Sequence, residues 1–124
     1  MISHIAALSL SDTVAMAKKG SLNALVKLIQ ENILGVHLGL PLHVPGVNTS
    51  GQTLLKEAWN SGIRRYDSAL LGFGGCPFAA DDLSGNLSTE SLITFLASEK
   101  VNDGINPTAL EAAMNEARDL FLEP

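Results

Sequence analysis

Arg64-Arg65-Tyr66-Asp67-Ser68-Ala69-Leu70-Leu71-Gly72-Phe73-Gly74-Gly75-Cys76-Pro77-Phe78 passes from an alternating, strand-like stretch directly into a glycine-rich loop. Ser84-Gly85-Asn86 follows shortly after it. The loop carries the one cysteine of the chain. Glycines let a backbone bend sharply and approach a ligand closely, and Pro77 stiffens the exit by fixing φ. A strand that ends in such a loop is the usual carrier of a site in parallel α/β proteins, where ligands lie beyond the carboxyl ends of strands. A thiol there is within reach of a substrate. The alternative is a cysteine packed as a small hydrophobe, the commoner state of single cysteines.

Upstream, the pattern alternates strand and helix. Residues 5–10 are a short apolar run ending at Ser11-Asp12-Thr13, read as a buried strand that delivers a carboxylate. Ser21 is the expected N-cap of a helix over 21–32, with Leu22, Leu25, Val26, Leu28 and Ile29 at helical spacing. Residues 33–38 read as a second strand. Residues 40–50, with Pro41, Pro45, Gly46 and the surrounding polar residues, read as loop. A helix over 52–60 stops at Gly62, and a third strand covers 64–70. Downstream, a helix over 88–98 is capped by Ser88 or Thr89 with Glu90 or Ser91 nearby. A last helix, over 107–122, opens on Pro107 and carries Leu110, Ala113, Met114, Ala117 and Leu120 on one face. The order β-α-β-α-β-loop-α-α predicts parallel pairing and an α/β fold. Asp12, His37 and Cys76 are all expected at or after strand ends.

Composition narrows the function. The chain has 124 residues, 46% hydrophobic and 17% charged, with a net charge of −5. That is enough for one domain over 1–124, and the acidic balance argues against nucleic acid as a partner. A single cysteine implies a reducing compartment. No basic leader and no membrane-length apolar run is visible, so a cytoplasmic protein without a membrane partner is expected.

The loop also carries a resemblance. Tyr66-Asp67-Ser68, Gly72-Phe73-Gly74-Gly75-Cys76-Pro77-Phe78-Ala79 and Gly85-Asn86-Leu87-Ser88-Thr89-Glu90 resemble the signature of the 3-hydroxy-3-methylglutaryl-CoA lyase family, which joins Gly-Gly-Cys-Pro to Gly-Asn and Thr-Glu. Leu8-Ser9-Leu10-Ser11-Asp12-Thr13 is similar to that family's sixth barrel strand, Gly35-Val36-His37-Leu38 to the seventh and Arg65-Tyr66-Asp67-Ser68 to the eighth. The resemblance implies a partial (β/α)8 TIM barrel of about the last three strands plus C-terminal helices.

It also implies a metal-assisted cleavage of a 3-hydroxy-3-methylglutaryl-CoA-like thioester to acetoacetate and acetyl-CoA. Under it, Cys76 and Asp12 are catalytic, Gly72, Gly74 and Gly75 form the substrate loop, and His37 and Asn86 bind a divalent Mg or Mn ion. The family's seventh strand reads His-x-His. Gly39 stands at the second place here, and an insertion over 39–42 would push that ligand out to His43. The family's first strands, with their arginine, aspartate and glutamate, have no counterpart in the chain. The expected partners are therefore an acyl-CoA substrate and either a complementing N-terminal half-barrel or a second copy. Two competing readings remain: an inactive barrel fragment serving as an interaction module through open sheet edges, and a redox-sensing thiol at Cys76.

Overall fold

The computed structural model describes residues 7–11, 18, 20–33, 35, 37–41, 43–45, 49–74 and 84–122. Its strands are β1 (Ala7–Ser9), β2 (His37–Pro41), β3 (His43–Pro45), β4 (Arg65–Asp67) and β5 (Ser84–Asn86). Its helices are α1 (Ser21–Asn32), α2 (Thr49–Asn60), α3 (Thr89–Ser98) and α4 (Pro107–Leu122), with a 3-10 turn at Leu70–Gly72. β1, β2 and β4 form a parallel sheet in that order. Leu8 is in register with Leu38, and Leu40 with Tyr66. α1 and α2 are the connections between successive parallel strands, the arrangement expected from alternating elements.

The core lies where α1 and α2 meet the sheet. Leu22 and Val26 of α1, Leu54, Leu55 and Ala58 of α2, Ile63 and Leu87 are buried together. Leu10, Leu38, Tyr66, Leu92 and Phe95 pack around them. The i, i+4 spacing of Leu22 and Val26, and of Leu54 and Ala58, is what lets each helix present one apolar stripe. Tyr66 donates its hydroxyl to Ile63 O at 2.9 Å, and burial pushes its phenol up to about 12 against a smaller opposing pull from Arg64. α2 ends with Gly62 at φ 92°, where Gly62 N bonds Trp59 O and Ile63 N bonds Ala58 O, both at 3.0 Å. This is a Schellman closure.

Four expectations are corrected. The N-cap of α1 is Gly20, at φ 87°, and not Ser21. Glu57 of α2 supplies the acceptor that the glycine lacks: its carboxylate takes Gly20 N at 2.8 and 3.0 Å and Asn23 N at 3.0 Å. The second strand starts at His37, several residues later than the apolar run suggests. Ile33 instead closes α1, donating its N–H to Ile29 O at 2.7 Å, and Gly35 turns the chain at φ 74°. Within the expected loop over 40–50, β3 forms and pairs antiparallel with β5, a ribbon whose three-residue strands are too short to show a period. On α4, Ala117 is buried but Leu120 is 76% exposed.

Candidate active site

Ser68, Thr89, Asn86 and Glu90 gather around the exit of β4. Ala69 is stitched to the segment before α3: its N–H donates to Leu87 O and its carbonyl accepts from Thr89 N, each at 2.9 Å. Ser68 Oγ and Thr89 Oγ1 hydrogen-bond at 2.9 Å. The 3-10 turn follows, with Gly72 N bonded to Ala69 O at 3.0 Å. Leu71 sits at φ 56°, ψ 13°, a left-handed conformation uncommon for a residue with a Cβ. Its N–H donates to Glu90 Oε2 at 3.0 Å.

Beyond the turn, Phe73 O accepts the side-chain amide of Asn86, Nδ2, at 2.8 Å. That bond fixes which end of the amide is nitrogen and turns Oδ1 away as the acceptor end. Gly72 and Gly74 are required here for space. A Cβ on Gly74 (φ +88°) would stand 2.9 Å from Asn86 Nδ2, and one on Gly72 (φ +70°) would stand 3.0 Å from Asn86 O. Gly85 returns the contact, since its Cβ would lie 3.0 Å from Gly72 O. The glycine loop and β5 therefore cross at backbone contact. Phe73 also meets Phe121 of α4, with ring centroids 5.0 Å apart.

β3 pairs alongside the strand that carries Asn86. In the β3–β5 ladder the register partners are His43 and Asn86, Val44 and Gly85, Pro45 and Ser84. Directly opposed residues of an antiparallel pair have Cα atoms roughly 4.5–5.5 Å apart. His37 is placed elsewhere. It opens β2, opposite Ala7, with its side chain exposed. The rest of that strand, to Pro41, separates it from β3 by roughly 13 Å at about 3.3 Å per residue. The expectation that His37 lies at the carboxyl end of its strand is thus corrected: it lies at the opposite end. Cys76, Asp12 and Gly75 fall outside the described residues.

As a metal centre the donor set is partial. Positions 43 and 86, a histidine and an asparagine in register, would supply at most two ligands, whereas Mg takes about six, mostly oxygen. Among the described residues there is no group of three or more His, Cys, Asp or Glu close enough to hold an ion. The pair fits one side of a divalent site and not a whole one. A groove of about 710 Å³ lies apart from this region, lined by Gly20, Asn23, Lys56, Glu57 and Ser61 among others. Its carboxylate is engaged in capping α1. Glu90 is a partner of the glycine loop that the sequence reading did not assign. It is legible as a capping-type glutamate, but Ser88 caps α3 by accepting from Ser91 N at 3.2 Å, and the glutamate reaches the loop instead.

A parallel α/β sheet whose last strand runs into a glycine loop, with an amide held against that loop, is the arrangement of barrels and of open α/β sheets alike, and the comparison with solved structures decides for a segment of a (β/α)8 barrel. The lyase of Bacillus subtilis for HMG-CoA superposes with a TM-score of 0.82 at 24% identity, covering 98% of this chain and 40% of that one. An HMG-CoA lyase from Acinetobacter baumannii, in complex with coenzyme A and 3-methylmalate, gives 0.74 at 32% identity, covering 90% of this chain and 36% of that one. In sequence, the (R)-citramalyl-CoA lyase of Chloroflexus aurantiacus is 38% identical over 104 residues, 84% of this chain and 32% of its own length. The cytoplasmic 3-hydroxy-3-methylglutaryl-CoA lyase of Homo sapiens is 36% identical over 101 residues, 80% of this chain and 26% of its own length. No protein-family model matches.

The chain belongs to the 3-hydroxy-3-methylglutaryl-CoA lyase family over the part of the barrel that it spans, which corresponds to its C-terminal part. It spans about a third or less of the length of the curated relatives it matches. Among the described residues, no helix is long and apolar enough to cross a membrane.

Proposed function

We propose that this chain supplies one wall of a lyase site that cleaves a carbon–carbon bond in a 3-hydroxyacyl-CoA thioester, the 3-hydroxy-3-methylglutaryl type giving acetoacetate and acetyl-CoA. The observation that carries the reading is the register of β3 on β5, which sets positions 43 and 86 opposite one another beside the glycine loop. His43 and Asn86 are the residues that would contribute to a divalent ion, with the remaining donors, carboxylates among them, coming from strands outside this chain. His37, which opens β2 opposite Ala7, is left out of this proposal. When bound, the ion supplies Lewis-acid polarisation and a template for the substrate's oxygens.

The chain's own residues carry the proton traffic. Asp12, after β1, acts at the substrate hydroxyl, whose proton must leave as the C–C bond breaks. The bond's electron pair passes to the acetyl-CoA carbon as an enolate, and Cys76 delivers the proton that carbon takes up. Gly72, Gly74 and Gly75 keep the loop free of side chains where the thioester approaches. A single thiol of this kind suits a reducing, cytoplasmic compartment.

The test is reconstitution. The purified chain with Mn ion and substrate is expected to release no acetoacetate alone, and to release it when mixed with a half-barrel carrying the first five strands. Cys76→Ala, Asp12→Asn and His43→Ala should each abolish that turnover. Turnover unchanged in His43→Ala would sink the reading.

A second reading rests on the sheet. Among the described residues, β1 and β4 are the outer strands of the three-stranded sheet, and each offers an outer edge to another strand. On this reading the chain is an inactive interaction module that associates with itself. A monomer in light scattering across the micromolar range would count against it.

A further inference from the structure

Glu90 does not cap the helix that carries it. It lies in the first turn of α3, but that helix is capped by Ser88. Its carboxylate reaches instead to Leu71 N at 3.0 Å, the N–H of a residue held at φ 56°. Glycine follows at φ 70° and again, after Phe73, at φ 88°. Phe73 O, between those glycines, is the acceptor for Asn86 Nδ2. One turn is thus gripped from two sides, by a carboxylate from the helix at Leu71 and by an amide from β5 at Phe73. Leu71 has a Cβ and disfavours this conformation on its own. Without the grip it returns toward ordinary φ, and Phe73 O swings away from Asn86.

We infer that Glu90 is a positioning residue: by holding Leu71 in the left-handed conformation it sets Phe73 O, and through it the orientation of the Asn86 amide. The functional half of this inference rests on the reading of Asn86 as a metal donor; the conformational half does not.

The experiment separates them. In the ¹⁵N-labelled full chain, the Leu71 backbone amide and the Asn86 side-chain amide are followed by NMR in wild type, Glu90→Ala, Glu90→Gln and the double variant Glu90→Ala/Leu71→Gly. Glu90→Ala should move both signals. Glu90→Gln keeps an acceptor while losing the charge, so it should hold the Asn86 signal in place and thereby distinguish the hydrogen bond from a charge–dipole effect on α3. The double variant, in which the left-handed conformation no longer opposes a Cβ, should restore the Asn86 signal.

In the same samples with the complementing half-barrel, Mn ion affinity should fall by about tenfold in Glu90→Ala, the scale for losing a partner that orients a ligand. It should recover in Glu90→Gln and in the double variant. An Asn86 signal unmoved in Glu90→Ala overturns the inference. A moved signal with unchanged Mn affinity overturns its functional half. Absence of Mn binding in every form, wild type included, refutes the metal reading while the two amide signals still decide the grip.

Discussion

Gly74→Ala, set against Gly62→Ala, isolates the contact on which the site depends. Both glycines are strongly left-handed, at φ 88° and 92°, so alanine carries nearly the same backbone penalty at either place, about 1–2 kcal/mol. The surroundings differ. At residue 62 the new methyl would meet only Gln30 Nε2, at 3.6 Å, an ordinary contact, whereas at residue 74 it would stand 2.9 Å from Asn86 Nδ2. That amide must move, and its bond to Phe73 O goes with it, adding roughly 0.5–1.5 kcal/mol. Gly74→Ala should therefore destabilise the chain by about 1.5–3.5 kcal/mol in urea titration, roughly 0.5–1.5 more than Gly62→Ala at about 1–2. The Asn86 side-chain resonance should shift only in Gly74→Ala. Equal destabilisation with Asn86 unmoved in both would refute the claim that loop and amide are seated on one another.

Other outcomes follow from the frame. Lys100 occupies the left-handed closing position of α3 at φ 61°, with Lys100 N on Ala97 O and Val101 N on Leu96 O at 3.0 Å. Lys100→Gly should stabilise by about 0.5–1 kcal/mol in the same titration, since a Cβ is disfavoured there. Glu57→Ala removes the acceptor for Gly20 N and Asn23 N and should destabilise by about 1–2 kcal/mol, with a loss of helical circular dichroism from α1. Tyr66 gives a pH signature. Its phenol is raised from 10.0 to about 12 in the folded chain, so the neutral form is the one the fold favours. Its contribution is whole below pH 10 and declines from there to pH 12, where the unfolded chain ionises first. Tyr66→Phe should flatten stability over that range. Its effect at pH 7 should be small, because Ile63 O retains Arg64 Nη1 at 2.9 Å.

Much of the frame is readable from side-chain period alone. Leu22 with Val26, and Leu54 with Ala58, mark the two helices that cover the sheet, and Arg65–Asp67 lies inside the strand read over 64–70. The second strand is misread because Ile33 is apolar for a local reason: it closes α1, while Gly35 turns the chain before His37 begins to pair. That shift moves His37 away from the loop and brings His43 into register with Asn86. The ribbon responsible is invisible in sequence, because His43–Pro45 and Ser84–Asn86 are too short to alternate. Asn86 and the glycines are legible as a motif. What Glu90 touches is not, since a first-turn glutamate has the same appearance whether it caps its own helix or reaches across to Leu71.

The borrowed cap of α1 has a consequence in time. Gly20 and its acceptor lie 37 positions apart, and Asn23 and the same carboxylate lie 34 apart. At a synthesis rate of roughly 5–20 residues per second, Glu57 leaves the ribosome about 2–7 s after the residues it serves. Twelve residues make a helix too short to persist unaided in water. The first crossover of this sheet therefore emerges as a fraying segment and becomes permanent only when the second arrives to close it, so a pause in translation between the two leaves the nascent chain exposed to proteases at α1.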